Sequence, residues 1–276
     1  MAEPLLSVHE LRTYFYTEAG IARAVDGVSF EIGAGETVGL VGESGSGKSV
    51  TALSLLRLVR PPGRIEPASE IRFEGRNLAT IDERAMRAVR GARISMVFQE
   101  PMTALNPVFT VGDQIAEVVR VHKGGSKREA WDRAVKMLET VGISSPAQRA
   151  NEYPHQLSGG MRQRVGLARA LTVDADIILM DEPFSSVDEQ TRRKFQEELL
   201  DLLRYKKKTV IFVTHSIEEA VYLSDRIVLL SPRPGTVSQI IQPRIDRQGK
   251  NPDDIRRDKN YLDTVDQIWQ ILKQYV

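Results

Sequence analysis

A glycine-rich segment from Gly42 to Ser49 has the residue types and the spacing needed to hold phosphate groups. It reads Gly-Glu-Ser-Gly-Ser-Gly-Lys-Ser, which fits G-x-x-x-x-G-K-S between an apolar strand, 37–41, and a helix predicted over 48–60. Backbone N–H groups of such a loop converge on phosphate oxygens, and the helix N-terminus favours negative charge. Lys48 supplies a charge for the β- and γ-phosphates of a nucleoside triphosphate, and the Ser49 hydroxyl is a ligand for Mg²⁺. The residues predicted to contact the nucleotide are Gly42, Glu43, Ser44, Gly45, Ser46, Gly47, Lys48, Ser49 and Val50.

Two neighbouring carboxylates, Asp181 and Glu182, stand at the end of a short apolar strand predicted over 177–181. A carboxylate at this place can hold Mg²⁺ through water, while its neighbour faces the water that attacks the phosphate. We predict Asp181 as a ligand of Mg²⁺ and Glu182 as the general base or water-orienting group. Gln99, which follows the strand 94–98, is predicted to contact Mg²⁺ or water and to sense the γ-phosphate. Taken alone, the acidic pair could equally be solvated.

A histidine stands at the end of another predicted strand. His215 follows the strand 209–213 and precedes a helix that opens at Ser216, with Glu219 as its expected capping partner. Ligands of α/β proteins bind at the carboxyl ends of the strands, so the imidazole is predicted to donate a hydrogen bond to the γ-phosphate. A lone histidine is more often structural, and that is the interpretation of the others, His9, His122 and His155. No metal-binding spacing links the four.

A second glycine pair, within Leu157 to Met161, suggests a further anion site. Ser158 is expected to cap a helix running from about Gly160 to Leu171, and the first N–H groups of that helix offer positive potential to an anion. The loop at Gly42–Ser49 already serves one triphosphate, so this segment is predicted to bind the γ-phosphate held by another subunit. Two head-to-tail copies would then bury two nucleotides. Asp188, which follows Glu182 closely, is predicted to lie at the same interface.

Composition sets limits on the class of protein. The chain has 276 residues and no cysteine, which excludes disulfides, thiolate metal sites and cysteine nucleophiles. A net charge of +1 gives no reason to expect a nucleic-acid partner. No apolar run approaches the ~18 residues needed to cross a bilayer. The N-terminus lacks the features of a signal peptide, so any membrane role is expected to be peripheral.

Periodicity predicts the elements that position these residues. Residues 5–35 read as strands, and Phe15, within an aromatic run, is either a stacking platform for adenine or one face of a strand. The segment 103–165 is helical in pattern and looks like an inserted subdomain, with Ser126 and Glu129 as a capping box. Strands and helices alternate again from residue 177, so an α/β fold with a mostly parallel sheet is predicted. We expect a nucleotide-binding domain over 1–242. A linker and an amphipathic helix should occupy 243–276, with Leu262, Val265, Trp269 and Leu272 on one side.

The order of Phe15, the glycine loop, Gln99, the segment Leu157–Met161, Asp181-Glu182, Asp188 and His215 resembles the nucleotide-binding subunit of ABC transporters over nearly the full length. This resemblance implies a P-loop NTPase of the ABC ATPase type with an antiparallel β subdomain. It further implies hydrolysis of ATP with Mg²⁺, a dimer that sandwiches the nucleotides, and a position on the cytoplasmic face of the cell membrane. The implied partners are a second ATP-binding subunit, transmembrane permeases and, indirectly, an extracytoplasmic solute-binding protein. A permease helix would dock near Gln99 and the segment 100–111.

The two halves of the chain resemble different importer classes. Residues 5–171, including the stretch Phe98–Pro107, are similar to the dipeptide, oligopeptide and nickel importer ATPases. Residues 176–276 are similar to the nitrate, sulfonate and taurine importer ATPases, so the sequence reads as a mosaic joined near 171–176. Since the expected docking groove belongs to the first half, we predict the peptide class, with the nitrate, sulfonate and taurine class as the alternative. Soluble ABC ATPases acting on DNA or ribosomes, small-molecule P-loop kinases and non-hydrolysing regulators fit the motifs less well.

Overall fold

The computed structural model describes residues 3–100, 104–247 and 249–275 in two compact units. The first unit comprises residues 1–86 together with 203–276, and the second comprises residues 87–202. Pro101, Met102 and Thr103 lie outside the described residues, and with them part of the stretch Phe98–Pro107 and the predicted start of the helical subdomain. The domain boundary expected at residue 242 stays a prediction.

The elements are numbered in chain order. The strands are β1 (Leu6–Thr17), β2 (Gly20–Ile32), β3 (Thr37–Val41), β4 (Gly63–Ile65), β5 (Glu70–Phe73), β6 (Arg76–Asn77), β7 (Ile94–Val97), β8 (Ile177–Asp181), β9 (Thr209–Thr214), β10 (Arg226–Leu230) and β11 (Val237–Ile241). The helices are α1 (Lys48–Leu55), α2 (Glu83–Val89), α3 (Val111–His122), α4 (Lys127–Thr140), α5 (Pro146–Arg149), α6 (Gly159–Thr172), α7 (Glu189–Lys206), α8 (Ile217–Leu223), α9 (Pro252–Arg257) and α10 (Lys259–Leu272).

The N-terminal strands of the first unit form an antiparallel sheet. Its order is β2-β1-β5-β6, and β4 also pairs with β1. The period-2 positions Val28, Phe30 and Ile32 are all buried, as expected for a strand with one face on a core. The predicted strands and the antiparallel β subdomain are therefore confirmed.

The same unit contains a mostly parallel group of strands that leads to the glycine loop. Strand β3 lies between β10 and β9 and runs parallel to both, while β11 pairs with β10 in the antiparallel sense. All five residues of β3 are buried, because neighbours cover it on every side. The helix predicted over 48–60 is shorter than expected: α1 ends at Leu55, and Arg57 takes a left-handed backbone conformation with φ 52°.

The second unit holds the parallel pair β7 and β8 and the helices predicted for the inserted subdomain. Ser126 accepts a hydrogen bond from the N–H of Glu129, whose carboxylate accepts one from the N–H of Ser126, so the predicted capping box is confirmed. The ring of Trp131 lies so close to Gly112 that a Cβ there would be 2.7 Å from it. Helices α3 and α4 can therefore approach each other closely.

The C-terminal helix is present, but its buried face differs from the predicted one. Helix α10 buries Tyr261, Thr264, Ile268 and Leu272, whereas Leu262 and Trp269 are 54% and 48% exposed. Only Leu272 of the four predicted apolar positions belongs to the buried set. The buried face is turned by about one position, so that Ile268 rather than Trp269 is fully buried, and the hydroxyl of Tyr261 donates to the carbonyl of Glu218 in α8. In the part of the chain that the structure describes, no helix is long and apolar enough to cross a membrane.

Candidate functional site

The glycine loop closes tightly after strand β3. Gly45 and Gly47 have φ values of 83° and 89°, a region that glycine enters without steric cost. A Cβ on Gly47 would lie 2.5 Å from the carbonyl oxygen of Ala24 in β2, so the strand and the loop approach each other more closely than any side chain permits. The backbone at this position is therefore fixed by its packing against β2.

Lys48 lies inside this loop. Its side chain is 4% exposed, and its ammonium group donates to the carbonyl oxygens of Gly42 and Glu43, both at 2.8 Å. The hydroxyl of Ser46 is also buried, and it has no hydrogen-bond partner among the described residues. A positive charge, a spare hydroxyl and the N-terminus of α1 thus lie within one short loop. These groups fit the triphosphate predicted from the sequence.

Gly235 supports the loop from behind, and the sequence interpretation did not single it out. Its N–H donates to the carbonyl of Ala24 at 3.1 Å, and its carbonyl accepts from the N–H of Asp26 at 2.9 Å. A Cβ on Gly235 would lie 2.1 Å from the carbonyl oxygen of Ser46, so only glycine fits here. A Pro-Gly pair ordinarily indicates a turn, which is why its contact with the loop could not be expected from the sequence.

His215 is exposed and directly follows strand β9. Ser216 caps α8 as predicted, accepting a hydrogen bond from the N–H of Glu219. The expected return bond is replaced: the buried carboxylate of Glu219 accepts from the hydroxyl of Thr214 at 2.6 Å, and that hydroxyl accepts from the N–H of Ser216 at 3.0 Å. The backbone on both sides of His215 is therefore held by one buried network.

Two of the other histidines make contacts that fit structural roles. A Cβ on Gly91 would lie 2.6 Å from Nε2 of His122, and the ring of His155 stacks on Tyr153 with centroids 5.7 Å apart.

Phe15 is half-buried, and its Cε1 would lie 2.8 Å from a Cβ on Gly63. These contacts place its ring against strand β4, and its role toward adenine stays a prediction.

In the second unit two of the predicted catalytic groups, Gln99 and Glu182, converge. Asp181 ends strand β8 and is 5% exposed. Glu182 has φ 44°, a left-handed conformation that costs a residue with a Cβ about 1–3 kcal/mol. Its carboxylate accepts a hydrogen bond from Nε2 of Gln99 at 3.1 Å. The structure thus brings the predicted base and the predicted sensor into direct contact, with the base on a strained backbone.

The same unit brings the second glycine pair to the segment that follows Glu182. Ser158 caps α6 as predicted, accepting from the N–H of Met161 at 3.3 Å, and Leu157 is buried beneath it. A Cβ on Gly159 would lie 3.0 Å from the carbonyl oxygen of Ser186. Asp188 accepts from the N–H of Thr191 at 3.0 Å, and this bond lowers the pKa of its carboxyl. The negative charge of Asp188 therefore persists at neutral pH at the start of α7.

The residues predicted to hold magnesium have the chemistry of a site that the substrate completes. In the regions of the chain described by the structure, no group of three or more histidine, cysteine and acidic side chains is arranged to hold a metal ion. Mg²⁺ usually binds through one or two carboxylates, water and the phosphates of its substrate. The chemistry of the predicted set, the hydroxyl of Ser49, the amide of Gln99 and the buried carboxylate of Asp181, fits that mode. Ser49 belongs to the first unit and the other two belong to the second.

The chain is similar to known transport proteins. Residues 25–185 match the protein family described as ABC transporter. The chain is 44% identical over 229 residues to the probable peptide ABC transporter ATP-binding protein y4tR of Sinorhizobium fredii, a match covering 83% of this chain and 68% of that protein. It is 43% identical over 226 residues to the oligopeptide transport ATP-binding protein AppD of Bacillus subtilis, covering 82% and 69%. The chain belongs to the ABC transporter family.

Solved structures of ABC cassettes share its fold. The ATP-binding cassette MJ0796, a dimer in a post-hydrolysis state bound to ADP and phosphate, has a TM-score of 0.76 and 29% identity, covering 87% of this chain and 99% of that one. A second dimeric structure of that cassette has a TM-score of 0.77. The predicted α/β P-loop fold of the ABC ATPase type is thereby confirmed, and the protein is an ATP-hydrolysing subunit of an ABC transporter.

Proposed function

We propose that this ABC ATPase drives the import of peptides through partner permeases. It would bind to those permeases at the cytoplasmic face of the cell membrane. The proposed substrate class rests on the names of proteins that are similar to this chain. Those described above are named for peptide and oligopeptide transport, and one from Haemophilus influenzae, 40% identical over 82% of this chain, is named for dipeptide transport. An extracytoplasmic protein would deliver the solute to the permeases.

Hydrolysis follows from the groups in the two units. The glycine loop and Lys48 bind the triphosphate, and Phe15 stacks on the adenine. Glu182 takes a proton from the attacking water while the water oxygen bonds to the γ-phosphorus and the bond to the bridging oxygen of ADP breaks. Mg²⁺, held by Ser49 with Asp181 and Gln99, would neutralise charge on the phosphates.

Gln99 and His215 are assigned to the γ-phosphate. The hydrogen bond from Gln99 to Glu182 at 3.1 Å gives this amide a direct contact with the proposed base. A shift of Gln99 would change the surroundings of the Glu182 carboxylate, which is how the state of the nucleotide could reach the segment after β7. His215, held by the Thr214 network, donates to a γ-phosphate oxygen.

The segment Leu157–Met161 is assigned to the nucleotide of a second subunit. Its solved structural neighbours are dimers, and the exposed Ser158 leaves the N-terminus of α6 open to an anion. The close approach of Gly159 to Ser186 joins this segment to the residues that follow Glu182. We name Leu157–Met161 the signature segment. A phosphate bound by the signature segment of one subunit would therefore influence Glu182, the proposed base, of that same subunit.

A cavity in the second unit suits a permease helix. It has a volume of about 590 Å³, and its lining includes the aromatic rings of Phe109 and Trp131. Charged groups of both signs surround them, among them Asp113, Glu117 and Arg120. Phe109, which belongs to the segment 100–111 expected to contact the permease, is 53% exposed. A lining that combines aromatic rings with charged groups of both signs fits an amphipathic helix laid into a groove.

The substrate class can be tested by transport-coupled hydrolysis. We expect the ATPase, reconstituted with peptide permeases in liposomes, to speed up when a peptide-loaded binding protein is added. The reason is that solute delivery at the permeases is coupled to closure of the nucleotide dimer. Phosphate release measures the effect, and the matched control is the same system with nitrate- or taurine-type permeases and their loaded binding protein. Stimulation only in the control system would assign the protein to the other importer class.

Replacing Glu182 by Gln tests the base. Glutamine has nearly the same size as glutamate and must adopt the same left-handed backbone conformation, so the fold and ATP binding should be retained. Hydrolysis should slow by about 10²-fold or more, because the amide cannot take a proton from water. An ATP-bound dimer should accumulate and be visible by gel filtration. Glu189→Gln, an exposed change nearby, is the control and should leave phosphate release close to wild type. Near-normal turnover in Glu182→Gln would remove the residue from its role.

Replacing Ser158 by Arg tests whether the signature serves another subunit. Hydrolysis should be lost while the monomer keeps its nucleotide affinity, because a bulky cation displaces the cap at the dimer interface. Ser126→Arg removes the equivalent cap of α4 and should keep hydrolysis. Mixing Ser158→Arg with Lys48→Ala should restore part of the activity, since one whole site then forms between two defective chains. No recovery on mixing would show that each signature serves its own subunit.

Phe109→Asp tests the groove. Replacing this aromatic lining residue by a charged one should abolish co-purification with co-expressed permease subunits from detergent-solubilised membranes. Val121→Asp also replaces an exposed apolar side chain, 70% exposed, but lies outside the cavity lining and should leave the complex intact. If both variants still bind the permeases, the docking surface lies elsewhere.

A further inference from the structure

We propose that Arg247 is a positioning residue for ATP hydrolysis, which it supports by holding helix α8 so that His215 stays in place. This inference rests on the role proposed above for His215. The sequence predicts a polar, charged linker around residue 247, yet the structure buries this arginine to 7% exposure. A buried arginine requires partners, and its partners are the end of α8.

The guanidinium of Arg247 satisfies the last carbonyl groups of α8. Its Nε donates to the carbonyl of Tyr222 at 3.0 Å, and its Nη2 donates to those of Val221 at 2.8 Å and Ser224 at 2.6 Å. The final carbonyls of a helix have no partner within the helix and carry partial negative charge. Arg247 therefore acts as a C-terminal cap supplied from a distant part of the chain.

The same corner is joined to the strand that leads into the glycine loop. Arg247 lies 3.8 Å from the carboxylate of Asp225, which accepts a hydrogen bond from the N–H of Thr37 at 2.9 Å. Asp225 also donates its own N–H to the carbonyl of Thr37 at 2.8 Å. A Cβ on Gly39 would lie 2.5 Å from the hydroxyl oxygen of Ser224, so the end of α8 packs directly against β3.

The opposite end of α8 carries His215 on its preceding turn. Thr214, Ser216 and Glu219 join that turn to the first residues of the helix. Helix α8 spans only 7 residues, too few for a stable helix without tertiary support. With both of its ends held by side chains, a shift at the Arg247 end moves the turn at the His215 end.

Two other residues of the C-terminal segment contact the same helix. Arg256 lies over the ring of Tyr222 at 4.3 Å, and the hydroxyl of Tyr261 donates to the carbonyl of Glu218 at 3.3 Å. From α7, Arg204 donates to the carbonyl of Arg247 at 2.8 Å. Burial lowers the pKa of Arg247, while the charge of Asp225 raises it, and an arginine retains its charge throughout the ordinary pH range. The segment after β11 is thus a brace on α8.

The test compares Arg247→Gln and Arg247→Lys with a matched control, Arg57→Gln. Arg57 also holds a backbone carbonyl, that of Ile81 at 2.6 Å, and it follows the end of α1 rather than α8. At a temperature well below the melting transition, Arg247→Gln should lower kcat about tenfold with little change in the KM for ATP, because positioning is lost while the binding loop is kept. The kcat of Arg247→Lys should lie between those of Arg247→Gln and the wild type. Arg57→Gln should lower stability without changing kcat. A folded Arg247→Gln with wild-type kcat would overturn the proposal.

A double-mutant cycle with His215→Ala separates positioning from general loss of stability. Phosphate release is followed with radiolabelled ATP so that slow hydrolysis is measured. If Arg247 acts through His215, Arg247→Gln causes no further fall in the His215→Ala background. An equal fall in both backgrounds overturns the inference and leaves the role of His215 intact. If His215→Ala itself has normal kcat, the assignment of His215 fails first. Should Arg247→Gln not fold, Arg247→Lys replaces it in the cycle, and wild-type kcat in that variant is the overturning result.

Discussion

The structure of the first unit depends on glycines in strand β3 and in the loop after it, where neighbouring segments come closer than any side chain would allow. A Cβ on Gly39 would lie 2.5 Å from Ser224, and one on Gly47 would lie 2.5 Å from the carbonyl of Ala24. Strands β9 and β10 cover the two edges of β3, so the strand cannot move aside. A loop that starts from so rigid a strand holds its N–H groups and Lys48 in one arrangement before any phosphate arrives. Such preorganisation is what makes electrostatic stabilisation effective.

The second unit holds its predicted catalytic groups in a different way. Glu182 follows strand β8 with a left-handed backbone, and its carbonyl accepts from the N–H of Ser185 at 3.1 Å. The carbonyl oxygen of the next residue, Ser186, would lie 3.0 Å from a Cβ on Gly159 of the signature segment. A residue in this conformation is held by its surroundings against an intrinsic cost. The carboxylate is therefore sensitive to small changes in the chain on either side of it. Its hydrogen bond with Gln99 adds a second route by which its position depends on a neighbouring segment.

Much of this arrangement follows from local sequence. The strands at 177–181 and 226–230 have the predicted bounds, and the caps at Ser126 and Ser158 form as expected, since period and capping act over a few residues. What could not be predicted depends on distant contacts. Glu219 turns to the hydroxyl of Thr214, Gly235 reaches the glycine loop, and Arg247 reaches α8 across more than 20 residues. No periodic pattern encodes such contacts, because each needs only one residue of the right shape.

Helix α8 shows why these distant contacts matter for chemistry. It is too short to be stable alone, so its placement is set by what holds its ends. Ser216 and Glu219 fix the end next to His215, and Arg247 fixes the end next to Thr37 and β3. The glycine loop and the histidine, far apart in sequence, are consequently held by one continuous set of packed and hydrogen-bonded groups. The proposed nucleotide site of this unit thus shares its supporting contacts with a C-terminal segment that lies far from the glycine loop in sequence.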